Sequence, residues 1–173
     1  MTEGIGIKND IRAATKKDVT QIADIRINSR KEGYQGILSQ EYLDSLTQSD
    51  ERIQKYRDMI ESNAFIFLVS EKQGIITGFL YGGRGRDTDD DKSREIYAFY
   101  VDPRYQRGGV GSDLFDEFCR GSGSKSIYLR TLPGSKGESF YKKKGGRISG
   151  NRRIEIGGDT YDEVRYSFKI SPE

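Results

Sequence analysis

The segment Val101-Asp102-Pro103-Arg104-Tyr105-Gln106-Arg107-Gly108-Gly109-Val110-Gly111-Ser112 carries the residues of this sequence best suited to holding a ligand. It joins an aromatic, β-branched run to an amphipathic one, and its glycines fall where the second run begins. A helix starting there presents unpaired backbone N–H groups and the positive end of its dipole, and residues without side chains let a phosphate approach the backbone closely. Arg107 adds positive charge to that grip. The same glycines would equally permit a tight strand-to-helix connection, so the turn alone leaves two readings open. A Walker loop is a different object, because the Gly-Lys-Ser/Thr ending is missing.

Composition narrows the remaining chemistry. The 173 residues include no histidine and one cysteine, Cys119. Every Ser-His or Cys-His nucleophilic pair is thereby excluded, no internal disulfide can form, and a zinc site would lack its usual ligands. Proton transfer must use carboxylates, tyrosines or lysines. With 29 basic and 27 acidic residues the formal charge is only +2, which argues against a broad electrostatic nucleic-acid surface, so no nucleic-acid partner is expected. No stretch approaches the roughly 20 apolar residues of a membrane span, and Met1-Thr2-Glu3-Gly4 lacks a basic region followed by an apolar one. The expectation is a cytoplasmic protein with no metal and no membrane attachment.

The elements that must position the glycine turn follow from periodicity. Ile11-Arg12-Ala13 predicts a short opening strand, and Thr15 with Asp18 fits a capping box before a stripe at Val19, Ile22, Ala23 and Ile27, predicting a helix to about Arg30. Ser39 caps a second short helix with Leu43 and Leu46, and a third carries Ile53, Tyr56 and Ile60. Ala64 to Ser70 and Ile75 to Tyr81 flank the Lys72-Gln73-Gly74 turn as a hairpin, and Gly82 to Arg94 is predicted to be an exposed loop. A strand from Glu95 to Val101 ends at Asp102-Pro103. The helix from Gly109 buries Val110, Leu114, Phe115, Phe118 and Cys119 and stops at Gly121-Ser122-Gly123. A strand from Ser126 to Thr131, a short helix from Pro133–Ser135 through Lys144, and strands over Arg147 to Ile156 and Thr160 to Ile170 complete the chain. The order β-α-α-α-β-β-β-α-β-α-β-β, without repeat or second core, predicts a single α+β domain over residues 1–173 with one mixed sheet.

Gln106-x-x-Gly109-x-Gly111 after a strand ending in Asp-Pro resembles the pyrophosphate-binding signature of the GNAT superfamily of acyl-CoA-dependent N-acyltransferases. Glu95 to Val101 resembles that family's fourth strand, and Phe140-Tyr141-Lys142-Lys143-Lys144-Gly145 is similar to its Phe-Tyr-x-x-x-Gly segment. The element order matches along most of the chain. The resemblance implies a mixed, mostly antiparallel central sheet flanked by helices and splayed at an acetyl-CoA site.

It also implies roles. Backbone groups of Phe99, Tyr100 and Val101 would pair with the pantetheine arm, and Gln106, Arg107, Gly108, Gly109, Val110, Gly111 and Ser112 would hold the pyrophosphate. The reaction implied is attack of a neutral primary amine on the thioester of acetyl-CoA, with a backbone N–H of the fourth strand facing the oxyanion. Tyr141 would protonate the departing thiolate, its alternative role being core packing beside Phe140. Glu95 is the candidate base, on the period-two face it is expected to share with Tyr97, Phe99 and Val101; the alternative is an ordinary strand-end glutamate. The chain departs from the pattern in two places: Pro133-Gly134-Ser135 lacks an asparagine common before the Phe-Tyr pair, and Gly146 replaces a frequent aromatic residue.

The partners implied are acetyl-CoA and an amine acceptor, a small molecule, a polyamine or a protein or peptide amine, on a monomer or homodimer. Asp87, Asp89, Asp90 and Asp91 could attract a cationic acceptor or form a solvated loop, and Tyr34, between Gly33 and Gly36, could wall the acceptor site. Other readings are a catalytically silent CoA-binding module and a nucleic-acid domain using Gly82-Gly83-Arg84-Gly85-Arg86 and the basic C-terminal third. Cys119, on a buried stripe, is expected to be a small apolar residue.

Overall fold

A computed structural model describes residues 9–87 and 92–171. Seven strands form one sheet in the order β1-β2-β3-β4-β5-β7-β6, with ranges β1 Asp10–Ala13, β2 Ile66–Lys72, β3 Ile75–Arg84, β4 Arg94–Val101, β5 Ser126–Thr131, β6 Arg147–Ile156 and β7 Asp159–Lys169. All neighbours are antiparallel except β4 and β5. The helices are α1 Val19–Gly33, α2 Gln40–Ser45, α3 Asp50–Ser62, α4 Val110–Ser122 and α5 Glu138–Lys143. The α+β class and the element order are those the sequence predicts.

Both faces of the sheet are covered, which explains why β2 reads as a continuous apolar run. Ile66 and Leu68 pack with the α4 layer, whose core includes Leu80, Ile96, Leu114, Phe118, Ile127 and Phe168. Phe67 and Val69 point the other way, into a cluster with Ile22, Ile25 and Phe79 and with Tyr56 of α3. On α4, Val110, Leu114 and Phe118 recur every four residues and Phe115 and Cys119 widen the stripe. Phe118 is fully buried, and its truncation to alanine would cost about 3–5 kcal/mol. A third cluster ties α2 to the β6–β7 hairpin through Leu43, Ile154, Ile156 and Tyr161.

Local signals set the boundaries. Ser49 caps α3 by accepting from Arg52 N–H at 3.2 Å, and Asn63 ends it in the left-handed conformation. Asp18 accepts from Thr15 N–H at 2.7 Å in a 3-10 turn leading into α1. Several boundaries differ from the sequence reading; β2, read as Ala64 to Ser70, is shifted to Ile66–Lys72, and three others bear on the site. α1 continues to Gly33, past Arg30. α5 begins at Glu138, because the preceding segment is spent on turns that bond Ser135 N–H to Leu132 and Glu138 N–H to Ser135. β3 runs on through Gly82 and Gly83 to Arg84, so these glycines belong to a strand instead of a loop.

Candidate active site

The site is organised by a defect in the sheet. Tyr81 pairs with Ala98, but the next residue, Gly82, pairs with Ile96, so Tyr97 is an extra residue in β4. Gly82 makes this bulge possible: a Cβ there would lie 2.2 Å from the carbonyl oxygen of Glu95. Side-chain alternation changes phase at the bulge. Phe99 and Val101 pack toward α4, like Ile96, whereas Ala98 and Tyr100 join the opposite cluster and Tyr97 meets Tyr81 on that same side. The face expected to unite Glu95 and Tyr97 with Phe99 and Val101 is therefore divided: Glu95 and Tyr97 lie on one face, Phe99 and Val101 on the other.

Beyond the bulge β4 leaves β5. Their parallel pairing covers Arg94, Glu95 and Ile96 against Ile127, Tyr128 and Leu129. From there to Val101 the edge of β4 facing β5 has no strand partner among the described residues, although its other edge stays paired with β3 as far as Gly78. Unpaired N–H and C=O groups on such an edge are a template for an extended ligand.

At the end of β4 the chain turns into α4. Arg107 has φ 66° and Gly109, the N-cap, φ 81°, two successive left-handed sites around Gly108. Asp113 N–H donates to Gly109, and among the described residues none of the amides from Arg107 to Ser112 donates to a backbone carbonyl outside the helix. These are the free donors of a helix N-terminus. Gln106 braces the turn by donating to Val101 C=O at 3.3 Å, and Asn9 bonds Gly108 C=O and the Asp113 carboxylate. Gly111 packs flat, its missing Cβ lying 3.6–3.7 Å from Phe99, Val101 and Phe140. A non-glycine residue held in the left-handed region costs of order 1 kcal/mol and marks functional turns. Arg107 is one.

α5 closes the splayed end. Phe140 meets Phe99 and Phe115 edge-on at 5.6 and 6.1 Å, and Tyr141 lies 5.6 Å from the Tyr166 ring. Burial, and next to it the phenols of Tyr34, Tyr100 and Tyr166, push the Tyr141 hydroxyl well above the ordinary tyrosine range, so it stays protonated at any physiological pH. Gly146 lets Phe168 fill the space an aromatic side chain would take: a Cβ at Gly146 would lie 2.7 Å from Phe168 and 2.8 Å from the Tyr141 carbonyl.

Glu95 is buried at the inner end of the splay, its side chain 2% exposed. Its Oε2 accepts from Arg86 N–H, Arg86 Nε and the Tyr128 hydroxyl at 3.1, 2.9 and 3.0 Å, and Oε1 from Arg86 Nη2 at 2.6 Å. Arg86 also stacks over Tyr97 at 4.6 Å. Arg86, one of the two arginines of the glycine-arginine segment, is thus committed to a carboxylate. Asp87 is likewise engaged, by Arg130 and Arg165. Asp89, Asp90 and Asp91 lie outside the described residues.

The structure brings to the cleft several residues that periodicity did not single out. Tyr34 lies against Arg30, whose guanidinium is 5.2 Å from its ring. Burial, then Tyr100, raise the Tyr34 hydroxyl to about 12. Arg30 Nη1 donates to the Tyr100 hydroxyl at 3.1 Å. One signal pointed to Arg30: it follows Ile22 and Arg26 at intervals of four, so it is a polar residue on the inward stripe of α1. Tyr128, Arg130 and Arg165 gave none.

Elsewhere, Lys144 pairs with Asp116, Arg152 with Glu163 and Arg153 with Asp162, so much of the basic C-terminal third is spent on surface pairs. Cys119 is buried in the α4 core, and burial pushes its thiol up to about 12. Among the described residues no group of three His, Cys, Asp or Glu side chains could hold a metal, and no helix is long and apolar enough to cross a membrane.

Comparison with known proteins meets this geometry. Residues 62–145, from the end of α3 through α5, match the family model of the acetyltransferase (GNAT) domain. The uncharacterized N-acetyltransferase YuaI of Bacillus subtilis strain 168 is 25% identical over 159 residues, covering 89% of each chain. The fold resembles that of PaiA N-acetyltransferase from Thermoplasma acidophilum in complex with coenzyme A, with a TM-score of 0.74 and 21% identity over 94% of this chain and 99% of that one. It also resembles yncA from Salmonella typhimurium, solved with its cofactor acetyl-CoA, with a TM-score of 0.70 and 21% identity over 96% of both.

Proposed function

Since the chain belongs to the GNAT superfamily of N-acetyltransferases, we propose that it transfers the acetyl group of acetyl-CoA directly to a primary amine. The observation that carries this reading is the conjunction of an unpaired β4 edge with free amides at the N-terminus of α4, which meet where β4 ends. One suits an amide-bearing extended arm, the other a pyrophosphate.

Backbone groups of Phe99, Tyr100 and Val101 pair with the pantetheine arm as a strand would. Amides from Arg107 to Ser112 receive the pyrophosphate, with Gln106 holding the turn against Val101. The thioester then lies at the bulge, where an N–H of the Tyr97–Ala98 stretch faces the carbonyl oxygen and stabilises the charge that develops on it. Tyr141 gives its proton to the leaving thiolate. Among the described residues no hydrogen bond occupies its hydroxyl; the raised pKa keeps the phenol protonated but also makes it a weaker acid, so the transfer requires the thiolate to form in direct contact with it.

The incoming amine must lose a proton. Glu95 accepts it, on one condition set by the geometry: both carboxylate oxygens are occupied by Arg86 and Tyr128. Arg86, 63% exposed at its side chain, is the partner free to swing outward. The amine's proton then reaches Glu95 directly or through the Tyr128 hydroxyl.

Tyr141→Phe tests the proposal. A positioned acid contributes about 10²–10⁴ in rate, so kcat should fall at least a hundredfold while acetyl-CoA affinity stays within a few-fold. Turnover unchanged by the substitution would remove Tyr141 from the reaction; acetyl-CoA bound without turnover of any amine would favour a silent CoA-binding module.

A further inference from the structure

The acceptor side of the splayed cleft carries an imbalance of charge. Ile127 and Leu129 pack toward α4, so Tyr128 and Arg130 project to the opposite face, and Arg165, paired in register with Arg130, lies 3.9 Å over the Tyr128 ring. On that face Arg86 is matched by Glu95, while Arg130 and Arg165 share the single carboxylate of Asp87. Arg30 reaches the same region from α1, and no carboxylate among the described residues lies within ion-pairing distance of it. Its bonding consists of Nη1 donating to the Tyr100 hydroxyl and of its stacking on Tyr34. Its Nε is buried without an acceptor, as is that of Arg165. Among the described residues Arg86, Arg130, Arg165 and Arg30 thus meet only the carboxylates of Glu95 and Asp87, since Glu163, which also lies near Tyr34, is taken by Arg152.

A cation withdrawn from water is unfavourable unless a counter-charge or a full set of acceptors replaces the water. Tyr100 supplies one neutral acceptor to a group with five donors. Arg30 also reaches β4 near the bulge, through the Tyr100 hydroxyl. Tyr100 is two to three residues along β4 from the bulge, about 7–10 Å at strand spacing. Tyr34, under the Arg30 guanidinium, lies in the same region.

We propose that Arg30 recognises an oxyanion carried by the acceptor a few bonds from its reacting amine, so that the acceptor is an amino-acid-like zwitterion bearing a carboxylate or phosphoryl group. This rests on the acetyltransferase reading above and specifies its substrate class. The planar fork of Arg30 suits either oxyanion, since both present paired oxygens to parallel N–H groups. The excess positive charge among the described residues of the face disfavours a polyamine.

The test uses the purified full chain with acetyl-CoA and a matched panel: α-amino acids, their α-amides, aminoalkylphosphonates and polyamines, followed by free-thiol release. The expected result is kcat/KM at least tenfold higher for the best oxyanion-bearing amine than for its neutral counterpart. The amino-acid and phosphonate arms distinguish the two oxyanions. In Arg30→Met that ratio collapses toward one, with acetyl-CoA titration confirming an intact donor site; Arg30→Lys, keeping charge without the fork, gives an intermediate ratio. Equal losses for both members of a pair would assign Arg30 a purely structural part and overturn the inference. So would a preference for amides or polyamines, or no turnover of any panel member by protein that binds acetyl-CoA. Failure to bind acetyl-CoA would instead overturn the acetyltransferase reading itself.

Discussion

Gly109 offers a quantitative test of the donor site, because strain and charge can be separated there. Its φ of 81° means any side chain costs about 1–2 kcal/mol of backbone strain. Space is not the obstacle: the nearest atoms to an added Cβ are Asn9 Nδ2 at 3.7 Å and Asp113 Oδ2 at 4.0 Å. Gly109→Gln should therefore fold, with stability lowered by that strain. Gly109→Glu adds only a negative charge to the same shape. At about 5 Å from a phosphate and an effective dielectric of 20, the repulsion is about 3 kcal/mol, roughly a hundredfold in affinity at low salt. Calorimetric titration with acetyl-CoA, with thermal melts as controls, compares the pair. The expected outcome is binding to the Glu variant about a hundredfold weaker than to the Gln variant, the gap narrowing as salt rises. Equal affinities in two folded variants would refute the placement of the pyrophosphate at α4.

Three further outcomes are expected. Asp18, buried against Arg12 and Thr15 N–H, is pulled up by burial, but the guanidinium and the amide outweigh that and hold its carboxyl below the usual range; its stabilisation is present above about pH 4 and is lost as pH falls through the folded value. Asp18→Asn should cost about 2 kcal/mol at neutral pH, and melting curves of variant and parent should converge in acid; a gap that persists at low pH would contradict this. Gly146→Ala forces a Cβ against Phe168 and the Tyr141 carbonyl, costing about 1–3 kcal/mol, and should lower turnover more than acetyl-CoA affinity because α5 carries Tyr141; an unchanged melt would refute the packing. Cys119, with its thiol near 12, is about one part in ten thousand thiolate at pH 8, so alkylation should require unfolding, and rapid modification of the native protein would contradict its burial.

Most of the fold was legible because its elements are built from local signals. The α4 stripe, the Thr15–Asp18 capping box, the Ser39 cap and the Gly123 stop each announce themselves within a few residues. The β4 bulge does not. Gly82 and Gly83 read as a loop because glycine usually breaks strands, whereas Gly82 is required because the Glu95 backbone crosses too closely for a Cβ. That long-range approach also reversed the facing of Phe99 and Val101 relative to Glu95. The same limit governs the site. The glycine turn and the Phe140-Tyr141 pair are contiguous and were visible; the group of Arg30, Tyr34 and Tyr100 comes from α1, the following turn and β4, and meets only in three dimensions. The Arg86–Glu95–Tyr128 network is likewise assembled across strands.

The central claim is the transfer of an acetyl group, and the most direct measurement is the reaction itself. Purified protein is incubated with acetyl-CoA and a panel of primary amines, and free CoA and acetylated amine are quantified together by mass spectrometry and thiol release. The account predicts at least one amine acetylated in a one-to-one ratio with the CoA released, at a rate that Tyr141→Phe abolishes or nearly so. Thiol release without an acetylated amine, or no release from protein that binds acetyl-CoA, would contradict it.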